Sequence, residues 1–238
     1  MSQNPYAPPQ AVLSTPQKLS EGSGTVDIGR CMEEAWRDTW ANFPLWLVAG
    51  LVWTLASIAG AISLIGILLV LPILYWGGYV FFLKMHDGGA SMGDLFAGFS
   101  RYGQALLGML GYVILTILLG VPGNIVTQIG ARSPGNEAWF LSLGLLLSVV
   151  IGLFVTPRLN FAPFLMVDRN LGLADALSET WSRTSQVKIP LALLTLLMGV
   201  AMILGALALL VGIIPGFVFA LMLWVSAYRQ IFGGARAH

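Results

Sequence analysis

Few side chains in this sequence could carry chemistry. The 238-residue chain has one cysteine, two histidines, 12 Lys+Arg and 11 Asp+Glu. Structural zinc and haem sites draw on clusters of Cys and His, and Cys31, His86 and His238 make no such cluster. Nucleophilic catalysis needs a hydroxyl or thiol beside a base. Gly98-Phe-Ser-Arg101 lacks the second glycine of a nucleophile elbow, and neither His nor acid is placed to activate Ser100. Walker A, His-Glu-x-x-His and dinucleotide fingerprints are missing. Asp87, Asp94 and Asp175 lie in separate connections, and the last two stand at helix starts, where a carboxylate favours the macrodipole. His86 follows Lys84 at the end of an apolar run and reads as a solvated surface residue. Cys31, on an apolar helix face, reads as a buried or lipid-facing thiol. The expectation is a non-enzymatic protein with no cofactor and no metal.

The polar group with the sharpest functional meaning is Arg158, with Asn160 beside it in Thr156-Pro-Arg-Leu-Asn160. Ala138–Val167 would be about 45 Å long as one helix, more than the roughly 30 Å hydrocarbon core. A span starting at Ala138 ends near Thr156, and Arg158 then snorkels to headgroups. A span starting near Gly144 leaves Arg158 and Asn160 inside the membrane beside Pro157. An intramembrane arginine needs an anion, a water cavity or a carbonyl, and no acid lies within the spans as read here. A phospholipid headgroup or an anionic ligand is then its natural partner. Snorkelling is the preferred reading.

The elements that must position these groups are membrane helices. Hydrophobic residues make up 57% of the chain and charged residues 10%, against about a quarter charged in soluble domains. Mean hydropathy is +0.81. About 20 apolar residues cross a bilayer. Uncharged runs place spans at about 43–62, 65–83, 104–127, 138–157, 189–210 and 213–230, with turns at Gly60–Gly66 and Gly212–Gly216. The short apolar–polar alternation of a β-barrel is absent. The fold class is therefore all-α, a polytopic bundle of six transmembrane helices. With six spans, eleven of the twelve basic residues fall on the side of both termini and Arg132 alone on the other. The positive-inside rule puts both termini in the cytoplasm of a bacterial inner membrane. Near-neutral charge gives no reason to expect a nucleic-acid partner. Residues 1–25, with Asn4-Pro-Tyr-Ala-Pro-Pro9, read as a disordered tail and not a secretory signal. Residues 26–232 form the membrane domain and 233–238 a short tail.

A short amphipathic segment precedes each span pair, at about 28–41, 92–102 and 172–184. Ile28, Cys31, Met32, Ala35, Trp36 and Trp40 share one helix face. Met92, Leu95, Phe96 and Phe99 do so after the capping pattern Ser91-x-x-Asp94, and Leu173, Ala176, Leu177 and Trp181 form the third stripe. Such helices lie in the membrane interface. Phe99-Ser-Arg101 matches Trp181-Ser-Arg183, with Trp36-Arg37 in the corresponding place. The pattern reads either as three repeats of interfacial helix plus hairpin or as common interfacial composition. These six residues are candidates for binding anionic phospholipid or a protein partner. A small transporter subunit or lipid-handling permease with a polar site near Arg158 is the alternative. Ala56-x-x-x-Gly60, Gly108-x-x-Gly111 and Ala201-x-x-x-Gly205 permit close helix packing, within the bundle in preference to a homodimer.

His86-Asp-Gly-Gly-Ala-Ser-Met-Gly-Asp-Leu-Phe-Ala-Gly-Phe-Ser100, together with Ala162-Pro-Phe-Leu-Met-Val-Asp-Arg169 and the later Trp181, resembles bacterial six-span proteins of the domain of unknown function 975 family. It is also similar to the membrane domain attached to some glycerophosphodiester phosphodiesterases. The resemblance covers about residues 28–232 and implies a six-span fold. It transfers no catalytic residues.

Overall fold

The computed structural model describes residues 20–207 and 210–234 and is an all-α helical bundle. Six helices are long and apolar enough to cross a membrane: Phe43–Ala61, Ile65–His86, Tyr102–Gly130, Glu137–Asp168, Lys188–Leu207 and Gly212–Phe232. The chain has the architecture of a multi-pass membrane protein. Residues 1–19 and 235–238, which hold most of the two tails, lie outside the described residues. Ser20–Glu21 (β1) pairs antiparallel with Gly233–Gly234 (β2), so the two ends of the membrane domain meet.

Helix α1 (Ile28–Ala41) begins at Asp27, whose Oδ1 accepts the Arg30 amide at 3.1 Å. It packs along α12 (Leu210–Phe232), the last span, with Cys31 and Ala35 fully buried. Pro44 sits in the first turn of α2 (Phe43–Ala61), where a missing N–H costs nothing. The break after α2 falls at Ile62–Ser63, inside the expected Gly60–Gly66 turn, and Ser63 caps α3 (Leu64–Leu69), which runs on into α4 (Leu71–His86).

The second amphipathic segment is shorter than the expected 92–102. A 3₁₀ turn, Met92–Phe96, is followed by the single turn α5 (Ala97–Ser100), and α6 (Tyr102–Gly130) starts after Arg101. Two glycines lay this segment flat on α4. A Cβ on Gly77 would overlap the Leu95 carbonyl, and one on Gly98 would overlap the Ile73 carbonyl. The Ser91/Asp94 capping box forms as expected.

The fourth span runs well past residue 157. After α7 (Glu137–Val150) the chain makes one π turn, Ile151–Val155, in which the Thr156 amide reaches back to the Ile151 carbonyl. Pro157 then opens α8 (Thr156–Leu159), and Pro163 falls in the first turn of α9 (Ala162–Asp168). A proline ring clashes with the carbonyl four residues back. The wide turn moves that carbonyl aside, so the helix bends and continues.

The third segment is the helix α10 (Leu173–Arg183). The turn predicted at Gly212–Gly216 does not exist: these residues lie inside α12, which follows α11 (Lys188–Leu207) in the chain. Gly205 and Gly216 serve packing. A Cβ on Gly205 would stand 2.7 Å from the Gly212 carbonyl oxygen, and one on Gly216 3.2 Å from that of Ala201. Pro215, in the early part of α12, is tolerated as it is in many membrane helices.

Candidate functional site

The predicted candidates gather at the end of the bundle where Ser20–Glu21 pairs with Gly233–Gly234. Trp36 is 61% exposed and edges against Trp40 (5.5 Å between centroids) and Phe219 (6.2 Å). Arg37 pairs with the neighbouring Asp38 at 2.9 Å and remains largely exposed. Phe99, 45% exposed, lies beside Phe96, and Arg101 donates to the Asn170 side chain, linking the second segment to the turn before α10. Trp181 is 47% exposed, and Arg183 pairs with Glu179 at 3.0 Å. Hydrogen bonds, ion pairs and ring contacts among the described residues do not join Trp36 or Arg37 to the other candidates. Each segment therefore presents an exposed aromatic with a partly exposed arginine close by.

Arg158 is 6% exposed and does not extend to the surface. Its guanidinium carbon lies 3.6 Å from the Trp181 ring centroid. Nη2 donates to the Trp181 carbonyl at 2.6 Å and Nε to Thr184 Oγ1 at 3.0 Å, while that hydroxyl donates to the Thr180 carbonyl at 2.6 Å. The structure thus joins Arg158 to Trp181, two candidates that sequence spacing had not connected. The arginine clamps α8 to the C-terminal turn of α10 through a cation–π stack and two neutral acceptors. Asn160 Oδ1 accepts the Tyr112 hydroxyl at 2.8 Å, tying α6 to the bend. An open groove of about 500 Å³ next to Trp181 is lined by Leu115, Leu159, Leu177, Ser178, Trp181 and Ser182 and does not include Arg158.

The strongest polar cluster is one that sequence reading missed. Arg229 of α12 donates through Nε to Asp87 Oδ1 at 3.2 Å and through Nη2 to Asp87 Oδ2, while Nη1 reaches Asp168 Oδ2 at 2.9 Å. The Tyr228 hydroxyl donates to the same Asp168 oxygen at 2.7 Å. These groups come from α4's end, α9 and α12, so one guanidinium fastens three spans. Burial pushes the Asp87 carboxyl above the ordinary carboxylate range despite the charge of Arg229. Asp168 also shows that an acid does lie within a span, the fourth.

Beside it, His86 is not a solvated surface residue: its side chain is 11% exposed and Nδ1 lies 2.6 Å from Asp38 Oδ2. A carboxylate only accepts, so Nδ1 carries the proton. Nε2 stands 4.0 Å from Glu34 Oε2, and Ser226 Oγ donates to that oxygen at 2.6 Å. Burial alone would raise the Glu34 carboxyl, but hydrogen bonds from Ser226 and Arg30 hold it below its usual value. Lys84 pairs with Asp94 at 2.6 Å. The Cys31 thiol, buried against Gln230, is pushed up to about 11 by burial, which makes it a poor nucleophile. The available signal for this cluster was the row of polar residues ending the second, fourth and sixth apolar runs, which all return to one end of the bundle.

Three or more His, Cys, Asp or Glu side chains do not converge in a metal-binding arrangement among the described residues. The cluster is built as a fastening: every charge in it faces an opposite charge or a hydrogen-bond donor within the bundle. Comparison with protein-family models, curated proteins and solved structures finds no match to the chain.

Proposed function

We propose that the protein is a non-enzymatic bacterial inner-membrane protein whose three amphipathic segments hold anionic phospholipid at the cytoplasmic face. The observation that carries this reading is the threefold presentation, at one end of the bundle, of exposed Trp36, Phe99 and Trp181 with Arg37, Arg101 and Arg183 alongside. Aromatic rings of this exposure suit the headgroup layer, and an arginine fork suits phosphate geometry. The resemblance to the domain of unknown function 975 proteins accords with this topology, as do the eleven basic residues on the side of both termini. Replacing Arg37, Arg101 and Arg183 together with glutamine should reduce retention of cardiolipin and phosphatidylglycerol in native mass spectrometry. Unchanged retention refutes the proposal.

The transporter alternative requires a polar path to Arg158. The seal formed over Arg158 by Trp181 and Thr184 favours a clamp role for this arginine over a role in flux. Loss of flux in a folded Arg158→Ala protein would reverse that preference.

A further inference from the structure

The outer part of the α6–α7 hairpin is packed unlike the rest of the bundle. From Val113 to Val155 the buried residues are Gly123, Gly130 and Gly144 alone, and all three mark the seam where α6 meets α7. On the side of α6 away from that seam, Asn124, Gln128 and Arg132 stand at i, i+4 and i+8 and form one polar stripe. They line a shallow open groove of about 440 Å³ whose apolar walls, including Val121 and Ile125, also belong to α6.

Hydrocarbon leaves unsatisfied polar groups at a cost of several kcal/mol each. Nearby exposed hydroxyls close on their own helices: Thr116 Oγ1 donates to the Val113 carbonyl at 2.8 Å and Ser142 Oγ to that of Ala138 at 2.7 Å. A carboxamide cannot be closed this way. Asn124 gives one N–H to the Gly120 carbonyl at 2.9 Å, which leaves its oxygen and second N–H open. The Gln128 side chain makes no hydrogen bond with any described residue. If Arg132 marks the water edge, Gln128 lies about 6 Å and Asn124 about 12 Å inside it along the helix.

We infer that this stripe is a self-association surface and that its occupant is a second copy of the chain. A carboxamide is donor and acceptor at once, so it is complementary to itself. A two-fold axis along the membrane normal sets Asn124 against Asn124 and Gln128 against Gln128. A lipid chain offers neither group. At the same end Arg132 and Glu137 are exposed and form no ion pair with any described residue, which leaves both charges open to a partner.

The test uses the full chain in bilayers. In a Cys31→Ala background, Gln128→Cys should cross-link under mild oxidation to a product of twice the chain mass. Leu146→Cys, on an exposed position of α7, should not. Asn124→Leu/Gln128→Leu should lower the dimer fraction about tenfold at fixed protein-to-lipid ratio, as counted by single-molecule photobleaching. Circular dichroism checks that this variant folds; should it misfold, the single-cysteine comparison alone decides. Equal cross-linking at the two positions, an unchanged dimer fraction in the folded variant, or a product of any other mass overturns the inference.

Discussion

Arg229→Met removes the cation that stands between Asp87 and Asp168 while keeping most of the side chain's apolar stem. The arginine is 12% exposed and both carboxylates are nearly as buried. Removing one partner of a buried ion pair costs about 3–5 kcal/mol. The carboxylates keep a little water and Asp168 keeps the Tyr228 hydroxyl, so the lower end, about 3 kcal/mol, applies. That equals roughly a 150-fold rise in the opening equilibrium. Cys31 supplies the readout: it is fully buried, and Gln230, the residue after Arg229, donates to both its sulfur and the Asp27 carbonyl. Maleimide should therefore label it only when α1 lifts from α12. In detergent at pH 7 the variant should label about 100-fold faster than the parent. The pH dependence has a fixed sign. Burial holds the folded Asp87 carboxyl above its unfolded value, so its ionised form opposes folding at neutral pH and that opposition fades as pH falls through the folded value. Compared with the parent at each pH, the deficit of the variant should shrink as pH falls. Adding Asp87→Asn and Asp168→Asn should recover most of the loss. Labelling within threefold of the parent at pH 7, or no recovery in the triple variant, refutes the role assigned to this cluster.

Gly98→Val forces a Cβ into the Ile73 carbonyl and should cost about 2–3 kcal/mol in thermal unfolding. Gly103→Ala, with nothing within 4 Å, should be neutral or stabilise by up to about 1 kcal/mol. Burial would raise the Asp94 carboxyl, but hydrogen bonds from Lys84 and Ser91 outweigh it and hold it low. Its stabilisation is thus present above its unfolded value and lost as pH falls through the folded one. Unfolding of the parent should show this loss in acid, and Asp94→Asn, about 1 kcal/mol weaker at pH 7 because Lys84 is half exposed, should not. A double-mutant cycle on Arg158→Met and Trp181→Leu should return a coupling of about 1 kcal/mol, the value of a partly desolvated cation–π stack. A coupling near zero contradicts the clamp.

The spans were legible because a crossing needs only length and the absence of charge, which Phe43–Leu83 or Ile189–Tyr228 show without any tertiary information. Punctuation was less legible. Gly212 and Gly216 have the composition of a turn, yet they lie inside a helix, where Gly216, like Gly205 on α11, admits a neighbouring backbone. Pro157 looked like a stop, and a single π turn let the helix pass it. The capping box at Ser91 was readable because it is local. The Arg229 cluster was not, because Asp87, Asp168 and Arg229 are joined only when three spans return to one end. His86 failed for the same reason: its partner Asp38 lies 48 residues away. For Arg158, the sequence did not show that Trp181 and Thr184 would enclose it.

The seat of α1 on α12, reinforced by the pairing of Ser20–Glu21 with Gly233–Gly234, orders events during synthesis. Helix α1 leaves the ribosome with its main docking partner still about 190 residues downstream, so it must wait on the bilayer surface until α12 is inserted. Chains that stop short of that crossing would leave Cys31, Ala35 and the Asp38 carboxylate without cover, and so would be open to proteolysis. Maturation of the amino-terminal region is in this sense a checkpoint on completion of the carboxyl-terminal one.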